Sequence, residues 1–160
     1  MDELILPADR AAVIVFNSDA RLIQPLTPNL GALQYALLAL FNTLGSGTRL
    51  DQGLRLAADE LAGTAVGGYP GPVPLRYRDP ERDKVIIVLT DGQTDPVRAS
   101  AVADAVRAQG VTIYTIGLGD SVDGALLARV AGGAAHYFPT ADGRSLADIY
   151  RQIAHFRGCP

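Results

Sequence analysis

The side chains best placed to do chemistry in this sequence are an acid and a hydroxyl that follow apolar or glycine-rich stretches. Asp91 comes after the run Lys84–Leu89 (KVIIVL) and Thr90, with Gly92 behind it, so its carboxylate is expected at a strand end beside open backbone. Thr48, in Gly45-Ser46-Gly47-Thr48, can offer a hydroxyl to the same point if its loop enters the next helix from the same rim. Asn17-Ser18-Asp19 and Gly117–Asp120 follow two further apolar runs. In open α/β sheets ligands bind outside the carboxyl ends of the strands, where all four segments would meet. Each also has a plainer role. Thr48 with Asp51 reads as a capping box, Asp91-Gly92 as a turn, Asp95 as an N-cap and Asp19 as a hairpin-turn residue.

Other chemistries find less support. Gly117-Leu118-Gly119 follows a strand as a dinucleotide fingerprint would, but Val122 occupies the third glycine position. The GSGT loop lacks the lysine of a phosphate-binding P-loop. Gly119-Asp120-Ser121 resembles an esterase nucleophile block, yet it comes late in the chain, and Gln152 stands where an acid should precede His155. His136 lies in an apolar stretch and reads as a core or edge residue. No paired carboxylates or Cys/His cluster suggest hydrolysis or zinc. Binding is the better expectation, and catalysis is not expected.

The elements that must position these residues are legible from periodicity. Ala11–Phe16 (AAVIVF), Lys84–Leu89 and Val111–Ile116 (VTIYTI) read as strands buried on both faces. Ala135–Phe138 reads as a fourth, stopped by Pro139. Arg21–Leu26 is expected to pair antiparallel with the first strand through the short Asn17–Asp19 turn, at an edge that tolerates Pro25. Helical spacing runs from Leu30 to Leu44 before Gly45, and from Leu50 to Leu61 before Gly63. A third helix opens at Asp95-Pro96 and runs through Val97–Val106 to Gly110, followed by a short one at Leu126–Val130. Ser145 with Asp148 opens the last helix. Gly63–Asp83 is Gly/Pro-rich and is expected to be a long loop. The resulting fold class is α/β, an open doubly wound and mostly parallel sheet with one antiparallel edge strand.

Composition narrows the function. At 160 residues with 48% hydrophobic and 19% charged positions, the chain suits one globular domain. The net charge is −3, and the scattered cations are all arginine except Lys84, so no nucleic-acid partner is expected. The longest apolar stretch, Tyr35 to Phe41, is too short to insert in a membrane. Met1-Asp2-Glu3 is acidic where a secretory leader would be basic, and Cys159, the single cysteine, permits no internal disulfide. None of this assigns a compartment.

Taken in order, AAVIVF-NSDARL, GSGT-RLDQGL, KVIIVLTDGQTD, VTIYTIGLGD and GGAAHYF resemble a von Willebrand factor A domain from about Leu6 to about Phe156. The resemblance implies a Rossmann-like interaction module with a metal-ion-dependent adhesion site at its strand tips. There a divalent cation (Mg2+, or Mn2+ or Ca2+) is completed by an acidic side chain of a protein ligand. By position Thr48 matches that site's second-loop threonine and Asp91 its third-loop aspartate. In such a site their oxygens would stand roughly 4–8 Å apart.

One departure matters. The family's first-loop Asp-x-Ser-x-Ser does not occur in this sequence, and Met1–Arg10 resembles the end of the family's first helix. Residues 1–160 are therefore expected to be one domain lacking the first strand and most of the first helix, with Met1 an internal start. On that reading metal binding by this chain is weak or absent. Ala11–Phe16 and Lys84–Leu89, which flank the absent strand in the family's order, should then fail to pair. A metal-free assembly module and a small hydrolytic or nucleotide-binding enzyme are the alternatives.

Overall fold

A computed structural model of the chain describes residues 9–40, 46–64, 82–91, 94–141 and 145–156. Gly45, Gly92, Cys159, the Phe41–Leu44 part of the expected first helix and most of the Gly/Pro-rich loop lie outside them.

The chain starts with a hairpin. Strand β1 (Ala11–Phe16) pairs antiparallel with β2 (Ala20–Thr27). The turn between them is closed by the Asn17 amide donating to the Asp19 carbonyl at 2.9 Å, and Asp19 receives the Arg21 guanidinium. The pairing is irregular on both sides of Val13. Pro25 has no N–H to give, and the Leu26 amide donates 2.8 Å away to Glu60 Oε1 instead. Helix α1 (Leu30–Ala39) follows, capped by Asn29 accepting from the Ala32 amide, a cap the sequence reading did not single out.

Helix α2 (Leu50–Ala62) leads by way of the long loop to β3 (Lys84–Thr90). Helix α3 (Pro96–Arg107) begins where expected, with Asp95 accepting from the Val97 and Arg98 amides and Pro96 at its first position. Strand β4 (Val111–Leu118), helix α4 (Gly124–Ala131), strand β5 (Tyr137–Thr140) and helix α5 (Leu146–Phe156) complete the order. Strands β3, β4 and β5 form a parallel sheet in that order.

The fourth strand lies two residues later than its sequence suggests. Ala134–His136 form a 3-10 turn, and the strand continues through Pro139. Proline is tolerated there because β5 is an edge strand.

Alternation decides what each strand buries. On one face Leu50, Leu54, Ile86, Val88, Ile113 and Leu127 share a core with α2, α3 and α4. On the other, Tyr114 and Ile116 meet Ile149 and Ile153 of α5. Each fully buried Leu or Ile contributes roughly 1.5–3 kcal/mol. Thr115, buried at the centre of β4, spends its hydroxyl on the Leu127 carbonyl at 2.9 Å, which ties α4 to the sheet.

No ladder joins β1 to β3 among the described residues, so the hairpin and the parallel sheet are two separate sheets. This is the break expected if a strand belongs between them. Phe16 nevertheless packs against the same core as Ile86 and Val88, with Gly53 of α2 directly over its ring. A Cβ on Gly53 would stand 3.0 Å from Phe16 Cδ1, so glycine allows α2 to sit on β1. Helix α2 thus holds the two sheets in one layer.

Glu60 is almost wholly buried, and its Oε2 has no hydrogen-bond partner among the described residues. Its carboxylate pins the edge strand where Pro25 breaks the ladder. Glu60→Ala should destabilise the chain by about 1–3 kcal/mol, because the Leu26 amide loses its acceptor. Glu60→Gln keeps that acceptor and should cost less. Urea unfolding of the two variants measures the difference, and equal losses would contradict the pinning role.

Candidate functional site at the strand tips

Two loops meet at the end of β1. The Arg49 amide donates to the Asn17 carbonyl at 2.7 Å. Gly47 adopts φ +92°, and a Cβ there would stand 3.3 Å from Ser18 Cα and N. Glycine therefore supplies both the left-handed backbone and the clearance that bring the Ser46–Thr48 loop against the Asn17–Asp19 turn.

The start of α2 differs from the expected capping box. The residue before the helix is Arg49, no side chain caps its first amides, and Asp51 is not engaged by Thr48. Instead the Arg49 guanidinium grips Asp51 in a fork, Nε to Oδ1 and Nη2 to Oδ2, both 2.9 Å. A bidentate Arg–carboxylate pair is stronger and more directional than a hydroxyl cap, and it claims the same carboxylate. The hydrogen bond from Arg49 holds the Asp51 carboxyl below the usual carboxylate range, with burial opposing. The same bond raises the Arg49 guanidinium.

Helix α3 packs against α2, and Asp95 at its start favours the charged form of Arg49 as Arg98 favours that of Asp51. Arg98 in turn pairs with Asp95 at 3.3 Å.

Because Asp51 is depressed in the folded state, its contribution is fully present above the ordinary carboxylate range, roughly pH 4. It is lost as pH falls through the lower folded value. Asp51→Asn should therefore cost about 1–2 kcal/mol at pH 7, a modest figure because Arg49 is partly exposed. That deficit should close in strong acid. Unfolding curves at pH 7 and pH 3 test the sign, and an unchanged gap would contradict it.

Against this paired background two oxygen-bearing side chains remain open. Thr48 is half-buried one residue before Arg49, and Asp91 is exposed immediately after the buried Thr90 that ends β3. Among the described residues no hydrogen bond or ion pair engages either side chain, whereas Asp19, Asp51 and Asp95 each hold an arginine. The clamp by Arg49 was missed at the sequence level, where the Arg-x-Asp spacing at a helix start was its only signal.

The rival glycines prove structural. A Cβ on Gly117 would come within 2.9 Å of Val122 Cγ2 and 3.1 Å of Leu127 Cδ1, and Gly119 (φ +81°) donates its amide to the Thr140 carbonyl at 2.8 Å. His136 lies half-buried with its ring 4.7 Å from that of Tyr114.

As a cation site the set is incomplete. Among the described residues no three His, Cys, Asp or Glu side chains cluster as they would around a metal. One hydroxyl and one carboxylate fall well short of the six oxygen ligands magnesium takes. The residues present do not by themselves fit the ion.

The α/β layering, with helices on both faces of a parallel sheet and an antiparallel edge pair, defines an open doubly wound domain. The von Willebrand factor type A domain model matches residues 4–152, and the chain belongs to that family. Matrilin-1 of Homo sapiens is 36% identical over 88 residues, 55% of this chain and 16% of that protein. The Mus musculus Matrilin-1 is 37% identical over 89 residues, again 55% and 16%. The chain thus spans a small part of the length of these relatives.

Solved structures share the fold. Manganese-loaded TRAP protein of Plasmodium vivax superposes with a TM-score of 0.72 at 18% identity, over 96% of this chain and 61% of that one. Proximal thread matrix protein 1 of the mussel byssus, with a zinc-occupied MIDAS motif, gives 0.66 at 21% identity, over 92% and 34%. No helix among the described residues is long and apolar enough to cross a membrane.

Proposed function

We propose that this chain is the larger part of an interaction domain that binds a protein ligand at its strand tips. Thr48 and Asp91 are two of its contact residues, and an acidic side chain of the ligand is the group they help to receive. The observation that carries this reading is their openness: at a rim where the neighbouring acids are held by arginines, these two oxygens are not. The metal-occupied relatives support a divalent cation between domain and ligand in the complete domain. The missing ligands are assigned to a first strand and Asp-x-Ser-x-Ser loop outside this chain. Membership of the family supports reading the domain as a binding module rather than as an enzyme.

A metal-free assembly module is the second reading, supported by the commitment of Asp19, Asp51 and Asp95 to arginines at this rim. The two readings separate on one experiment. An immobilised acidic-peptide library is probed with the chain, extended upstream to include an Asp-x-Ser-x-Ser loop, with and without 5 mM MgCl2. Binding that needs both magnesium and Asp91 supports the first reading, and binding indifferent to both supports the second.

A further inference from the structure

The end of the layer where the parallel strands begin carries a polar constellation of its own. Helix α3 ends at Arg107 shortly before β4 starts, and α4 ends at Ala131 shortly before β5 starts. Both helices run back along parallel strands, so their C-termini lie at the far end of the sheet from Asp91. A shallow groove opens between them, lined by Arg107, Ala128, Arg129, Gly132 and Gly133.

Arg107 builds one wall. Its Nη1 donates to the Arg129 carbonyl at 3.2 Å and to the Val130 carbonyl, and its Nη2 donates to Asp104. The Gly132 and Gly133 amides donate to the Arg129 and Ala128 carbonyls at 3.0 and 2.9 Å. A helix C-terminus ordinarily repels anions through its open carbonyls. Here those carbonyls have donors and a cation stands over them. Gly132 permits this, because a Cβ there would stand 3.0 Å from Arg107 Cδ. The Gly132–Ala135 run is exposed, and a Cβ on Gly133 would meet nothing within 4 Å, so the floor is main chain without bulky cover.

Arg129 is the cation with its donors unfilled. Its side chain is 65% exposed, and among the described residues its one charged partner is Asp104 at 3.5 Å, beyond the reach of a charge-assisted hydrogen bond. Asp104 is already held by Arg107, so two arginines share one carboxylate, whereas Arg21, Arg49 and Arg98 each hold an aspartate of their own. We infer that this groove is a second binding site, which takes a carboxylate carried on an extended acidic segment of a partner protein. The planar Arg129 guanidinium donates two parallel N–H groups, which match the two oxygens of a carboxylate. The local excess of one positive charge suits a single Asp or Glu better than a doubly charged phosphate. The open main-chain floor suits a peptide laid along it, where a small molecule would need enclosing walls. This inference uses neither Thr48 nor Asp91, and it gives the domain a partner at each end.

The test titrates the isotope-labelled chain with the blocked peptide Gly-Ala-Glu-Glu-Ala-Gly and follows backbone amide shifts, in EDTA so that no cation at the strand tips contributes. Saturable shifts are expected at Arg107, Arg129, Gly132, Gly133 and Ala134. Arg129→Gln should weaken binding about tenfold, the effect of losing a hydrogen-bonded charge pair. Arg129→Lys keeps the charge without the fork and should fall between. Both variants should keep Tm within about 2 °C, because the Asp104 contact they lose is exposed and long. A peptide with Gln in place of both Glu residues should bind about tenfold more weakly than the acidic one.

Absence of saturable shifts overturns the inference, as do shifts centred on Thr48 and Asp91 or an affinity unchanged in Arg129→Gln. Equal binding of the Glu and Gln peptides overturns it too, since no carboxylate would then be read. Inorganic phosphate that saturates the same amides at lower concentration than the peptide would make this a small-anion site instead. Shifts of these amides with protein concentration alone would make a second copy the occupant, and either result overturns the inference.

Discussion

Titrating this chain with MgCl2 or MnCl2 is expected to show binding no tighter than about millimolar, since one hydroxyl and one carboxylate leave most of an octahedral shell to water. Extending the chain upstream with a strand and an Asp-x-Ser-x-Ser loop should tighten binding by roughly a hundredfold or more, as added protein oxygens replace water in the shell. In the extended form Thr48→Ala and Asp91→Ala should each remove most of that gain. Asp95→Ala should leave it, because Asp95 is committed to the α3 amides and to Arg98. Micromolar affinity in the 160-residue chain, abolished by Asp91→Ala, would show that the described residues already make a full site.

A second large effect is expected at the end of β4. Gly117→Val forces a branched side chain into Val122, Leu127 and the Tyr137 hydroxyl, all closer than ordinary contact to the position of its Cβ. Overpacking of this kind costs about 3 kcal/mol, which in a domain of this size lowers Tm by roughly 6–12 °C. Gly119→Ala meets nothing within 4 Å and carries only the strain of its positive φ, about 1 kcal/mol. Equal losses in the two variants would contradict this account of the packing at the end of β4. Thermal melts of the two variants decide it.

Much of this was readable because the local signals agree with the global fold. KVIIVL and VTIYTI are apolar without alternation, which only a strand covered on both faces can use, and both lie in the parallel sheet. Pro25 marked an edge strand, and Asp95-Pro96 marked a helix start, because backbone chemistry leaves those residues few other places.

The failures came where one residue had two possible partners. Asp51 stands three residues after Thr48 and two after Arg49, so sequence alone offers both a capping box and an ion pair; the bidentate fork prevails. Pro139 looked like a strand stop, but its missing N–H costs little at the edge that β5 occupies. The Glu60–Leu26 bond spans 34 positions and has no local signature. Thr48 and Asp91 were legible as candidates through their place after a glycine-rich loop and an apolar run, and among the described residues neither side chain is engaged by a hydrogen bond or ion pair.

The claim that Thr48 and Asp91 form one cation-receiving rim can be tested at the weak affinity expected of this chain. Backbone amide spectra of labelled protein are recorded during addition of Mn2+, whose unpaired electrons broaden nuclei close to it. The account predicts that broadening begins at Thr48 and Asp91, reaches the Asn17–Asp19 turn next, and disappears in the Asp91→Ala variant. Broadening centred elsewhere, or unchanged in that variant, would contradict it.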